Sequence, residues 1–119
     1  MATKTAKLIP EIVDYIVLTL VEKGIIEKSR IQCINCCKYK PSRLVSEILL
    51  KVEKEIGNGW DRWDKNKYYS HLTFTCNFGW EINEPYLKES KEKILEYPQI
   101  KKRVDDIINR LVSAYKKNS

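Results

Sequence analysis

Tyr68-Tyr-Ser-His71-Leu72-Thr-Phe74-Thr-Cys76-Asn-Phe78-Gly79-Trp80-Glu-Ile82 is the stretch on which the fold class turns. Apolar side chains at positions 72, 74, 76, 78, 80 and 82 alternate with His71, Thr73, Thr75, Asn77 and Glu81. A period of two places successive side chains on opposite faces, the pattern of a half-buried strand. A strand needs a partner, so the stretch predicts a hairpin. Either Asn77-Phe78-Gly79 turns or bulges it, or residues near Trp60 supply the paired edge. The rest of the chain reads as helical. The expected class is therefore α+β, mostly helical, with about five helices and one small antiparallel β-hairpin. With 119 residues, one domain spanning 1–119 is expected, with residues 1–7 frayed.

Outward from that stretch, towards the N-terminus, Trp60, Arg62, Trp63, Lys65 and Lys67 form an aromatic loop of mixed charge, preceded by Gly57-Asn58-Gly59. Before the glycines, Leu44, Val45, Ile48, Leu49, Val52 and Ile56 recur at spacings of three and four, the stripe of a helix over Ser42–Ile56. Ser42 is its expected cap, and Pro41 ends whatever comes before. A further helix is read over Leu8–Lys23, with Pro10 in its first turn and Gly24 as its stop. So many of its residues are apolar that it should be central and buried on most sides. Residues 25–40 fit a short helix of roughly two turns, capped by Ser29, better than a strand, which would set Asn35 among apolar groups. Beyond the hairpin, Asn83 is the expected cap of a charged surface helix that Pro98 breaks. The last helix, about Pro98 to Lys116, carries Ile100, Val104, Ile107, Ile108, Leu111, Val112 and Tyr115 on one face.

The net charge is +6, unevenly distributed. Lys28, Arg30, Lys38, Lys40 and Arg43 fall within residues 28–46 without one acidic residue, while residues 1–27 and 47–83 are each close to neutral. Such a block suits a polyanionic partner, against the plainer reading of a solvated lysine-rich surface. Two helices joined by Tyr39-Lys40-Pro41 and followed by a hairpin resemble the winged helix-turn-helix arrangement over residues 8–82, with two extra C-terminal helices. That resemblance implies a recognition helix from Ser42 to Lys54 in the major groove of duplex DNA. Ser42, Arg43 and Ser46 would face bases or phosphates, Lys38 and Lys40 the backbone, and Arg62, Lys65 and Lys67 would be wing contacts. Glu47, Glu53 and Glu55 on the same helix depart from that pattern. The expected function is thus a small nucleic-acid-binding protein, for duplex DNA, in a regulatory or accessory role. Its rival is an interaction module that forms a homodimer through the Ile100–Tyr115 face, unless that face simply covers the domain's own core.

Cys33-x-x-Cys36 has the spacing of half a zinc site, but the other half would have to come from His71 and Cys76, an unusual distance. Zinc through Cys33 and Cys36, buried free thiols, and a disulfide from Cys36 or Cys37 to Cys76 of the kind found inside hyperthermophiles all stay open, with a free thiol favoured for Cys76 between Phe74 and Phe78. Catalysis finds little support: the chain has one histidine, and neither a Ser-His-Asp set, an HExxH motif nor a phosphate-binding glycine loop is present. Trp60, Trp63, Tyr68 and Tyr69 beside Arg62, Lys65 and Lys67 could stack on a single strand or pack beneath their loop. No apolar run reaches the roughly 18 residues of a membrane span, and the start lacks the order of a signal peptide, so a cytoplasmic protein is expected.

Overall fold

A computed structural model describes residues 8–34, 38–56 and 79–117. They form α1 (Ile9–Glu22), a 3-10 helix (Lys28–Cys33), α2 (Lys40–Ile56), α3 (Trp80–Leu95) and α4 (Pro98–Lys117). Of the described residues, 86% are helical and none is in a strand. The α+β class and the winged helix-turn-helix order are thereby corrected to an all-helical arrangement. Trp80-Glu81-Ile82, expected to finish the strand, is instead the first turn of α3. The remainder of the expected hairpin, residues 68–78, lies outside the described residues.

The reason is a stripe that composition conceals. Trp80, Asn83, Leu87, Ser90 and Ile94 recur at intervals of three and four and face inward, Asn83, Leu87 and Ile94 fully and Trp80 and Ser90 in part. Two of the five are polar, so the helical period is hidden while the alternation of Trp80 and Ile82 stands out. Ile82 is in fact 50% exposed. Asn83 is no cap either. It is buried within the helix, and its Nδ2 donates to the Gly79 carbonyl at 2.9 Å. The same carbonyl accepts from the Ile82 and Asn83 backbone N–H groups, both at 3.2 Å, so the extended Gly79 is the N-cap.

α1 is the centre of the molecule. Ile12, Val13, Tyr15, Ile16, Val17, Leu18, Leu20 and Val21 are all buried, on every side of the helix, as its composition predicts. It ends in a Schellman motif: the Ile25 N–H reaches the Leu20 carbonyl at 2.9 Å and the Gly24 N–H the Val21 carbonyl at 3.0 Å. Gly24 takes the required left-handed conformation, φ +77. α3, expected to be a surface helix, packs more extensively on α1 than any other element does. Within that contact Asp14 is buried and its Oδ2 accepts from Ser90 Oγ at 2.8 Å.

α4 lies along α2. Val104, Ile107, Ile108 and Val112 are buried against the same cluster as Leu44, Val45, Ile48, Leu49 and Val52. The face proposed above for a homodimer therefore covers the chain's own core. Arg110 clamps the outer edge of this contact, with its Nη2 at 3.0 and 2.9 Å from the two Glu55 oxygens. Among the described residues, no helix is long and apolar enough to cross a membrane.

Candidate nucleic-acid interface

The segment from Lys28 to Arg43 is folded back on itself. The short helix expected here is a 3-10 helix with a kink at Arg30 (φ −118, ψ 19), and no side chain, Ser29 included, caps it. Buried Ile31 and Ile34 pin it to the core. Tyr39, just before α2, returns to its start: its hydroxyl accepts from the Glu27 N–H at 3.1 Å. This closure sets Arg30 over the Tyr39 ring, 5.0 Å from the centroid. Lys28 lies 5.4 Å from the centroid of Trp80, at the start of α3. Both rings are partly buried and packed against the core.

A cation seated over an aromatic face is attracted by the ring quadrupole. It is not tied into the paired N–H···O bonds that a carboxylate partner would form. Lys38, Lys40 and Arg43 are exposed beside Tyr39, and Lys40 and Arg43, three apart on α2, share a face. None of these five cations makes an ion pair among the described residues. In the first turn of α2 Pro41 and Ser42 are buried, so Lys40 and Arg43 carry the charge of this end to the surface.

Of the residues singled out from sequence, then, Lys38, Lys40 and Arg43 stand together at the surface. Ser46 is half-buried. Ser42 is buried at 8% exposure and its hydroxyl donates back to the Tyr39 carbonyl at 2.6 Å, so it is not presented at the surface. Arg62, Lys65 and Lys67 lie outside the described residues, as do Trp60, Trp63, Tyr68 and Tyr69. Sequence reasoning counted Lys28 and Arg30 in the basic block without assigning them contacts, and missed Tyr39 and Trp80 as their seats. The only signal for those seats was an aromatic residue bordering each turn.

Other chemistry is thinly represented. Cys33 is free and half-buried, while Cys36, Cys37, His71 and Cys76 fall outside the described residues. No group of three or more His, Cys, Asp or Glu side chains among the described residues is placed to hold a metal. A groove of about 710 Å³ between α1 and α3 is lined by Glu11, Asp14, Glu89, Glu92 and Glu96 with Tyr86 and Lys93, the wrong sign for a polyanion. Tyr15 is held at about 12 by burial first and then by its hydrogen bond to Asp105, which makes it a poor nucleophile. Lys101 donates to the same carboxylate at 2.8 Å, and that bond raises its own pKa.

No protein-family model, curated protein or solved structure matches this chain.

Proposed function

We propose that the protein binds nucleic acid through its phosphates, using the face built from the 3-10 helix, Tyr39 and the first two turns of α2. One observation carries the reading: Lys28, Arg30, Lys38, Lys40 and Arg43 are all exposed with no carboxylate partner among the described residues, Lys28 held over Trp80 and Arg30 over Tyr39. Each phosphate neutralised releases condensed counterions, so binding should weaken steeply with salt. The recognition-helix docking expected from sequence has no part in this reading, since Ser42 is buried and the wing is withdrawn. A regulatory or accessory role in the cytoplasm is the setting that fits it, and subcellular fractionation tests that location.

Fluorescence-anisotropy titrations against random duplex and single-stranded oligonucleotides, over a range of salt, test the proposal. The variant Lys38→Gln/Lys40→Gln/Arg43→Gln should lower the slope of log affinity on log salt by about three. Lys91→Gln, whose partner is Glu22 at 3.4 Å, should leave that slope unchanged. Absence of salt-sensitive binding by the intact protein at low salt rules the function out.

A further inference from the structure

Glu47, an exposed acid, borders the basic face on α2. Glu47 follows Lys40 and Arg43 along the same side of α2, and it makes no ion pair among the described residues. A surface that only held phosphates would be better without it. Glu47 does, however, line a groove. Lys40 and Glu47 from α2, with Leu111, Ala114 and Tyr115 from the last turns of α4, enclose about 200 Å³. The walls are apolar and aromatic, one end carries a cation and the other a carboxylate. Lys40 belongs both to this groove and to the basic face, so the two are continuous.

We propose that this groove receives an unstacked nucleobase, and that the ligand of the basic face is a single strand. The proposal rests on the phosphate-binding function above. Lys40 would hold the backbone phosphate of the inserted nucleotide, Tyr115 and Leu111 would meet the base, and Glu47 would accept from an exocyclic amino group. Carboxylates recognise that group on cytosine, and adenine and guanine also carry one, whereas thymine and uracil do not. A duplex keeps those edges paired and its bases stacked, so it would have to extrude a base to fill the groove. A single strand offers them freely, and stacking on aromatic side chains is the usual means of holding it. Glu47 thus becomes the discriminating residue in a field of non-discriminating cations.

The test compares oligo-dC, oligo-dT and a mixed-sequence duplex of equal length on the full chain at one low salt concentration. Oligo-dC should bind about ten-fold tighter than oligo-dT, the discrimination that one base-edge contact supplies. The duplex should bind at least as weakly as oligo-dT. Ala114→Met, at an exposed position of α4, fills the groove and should lower oligo-dC affinity to the oligo-dT level, with helical circular dichroism confirming the fold. Glu47→Gln, on the surface, should narrow the ratio between oligo-dC and oligo-dT without altering the salt slope for oligo-dT. Duplex binding as tight as oligo-dC, or an unchanged ratio in Glu47→Gln, overturns the inference and leaves the phosphate-binding function standing. No binding of any of the three overturns both.

Discussion

Two regions of this molecule are rich in lysine and arginine, and they use them in opposite ways. Along α3 and α4, Lys88 pairs with Glu84, Lys91 with Glu22, Lys93 with Glu11, Lys101 with Asp105, and Arg103 and Arg110 with Glu55. In the stretch from Lys28 to Arg43 no such pair occurs among the described residues, and the nearest partners are aromatic rings. The first arrangement neutralises its field locally and ties helices together. The second leaves the field intact and its donors free. Charge counted along a sequence does not separate these cases, because a cation's reach depends on what sits within about 4 Å of it.

The contrast makes a prediction about separability: changes in the helical bundle should move stability and leave phosphate binding by the folded fraction alone. The largest effect is expected from Ile107→Ala. This side chain is wholly buried between α2 and α4, and its truncation should lower unfolding free energy by about 2–5 kcal/mol in urea titration. Next comes pH. The Tyr15 phenol holds its proton more tightly folded than unfolded, so its contribution is complete below pH 10 and is lost as pH climbs towards 12. That displacement corresponds to roughly 2–3 kcal/mol. Lys101, raised in the same direction through Asp105, should deepen the loss. Melting temperatures measured from pH 9 to 12 should fall steeply, and Tyr15→Phe should flatten the fall. Gly24→Ala forces a side chain into the left-handed region and should destabilise by about 1–2 kcal/mol, with no steric clash to add, since nothing lies near the new Cβ. The smallest effect should come from Arg110→Gln. Its ion pair is well formed but exposed, and should contribute about 1 kcal/mol or less. A change of salt slope in any of these variants would break the division between the two regions. A loss of stability in Arg43→Gln comparable to that in Ile107→Ala would break it from the other side.

Much of the bundle was legible in the sequence because hydrophobic period and burial agree there. The stripe Leu44, Val45, Ile48, Leu49, Val52 and its counterpart Val104, Ile107, Ile108, Val112 are the core the spacing predicts. α3 was misread because its inward face is half polar. Asn83 donates to the Gly79 carbonyl and Ser90 to Asp14, and such long-range or backward bonds leave no periodic trace. Lys38, Lys40 and Arg43 could be proposed from charge alone. The pairing of Arg30 with Tyr39 and of Lys28 with Trp80 depends on tertiary closure, as does the meeting of Lys40 with Tyr115 across more than seventy residues. No local rule reports it.

The hydrogen bond from Ser90 to the buried carboxylate of Asp14 has a consequence for conformational uniqueness. A helix that is greasy all round, as α1 is, gains nearly as much from one rotation about its axis as from another, and oil alone sets no zero on that dial. A buried polar notch changes the degeneracy. If α1 slipped by one residue, Asp14 would swing through about 100° and would lie buried without its hydroxyl partner, a cost larger than any gain in fit. The pair therefore acts as a key in a keyway: it selects one alignment of α1 and α3 from several that hydrophobic contact would tolerate. Because the Trp80 end of α3 carries the seat for Lys28, that alignment also fixes where the basic face begins.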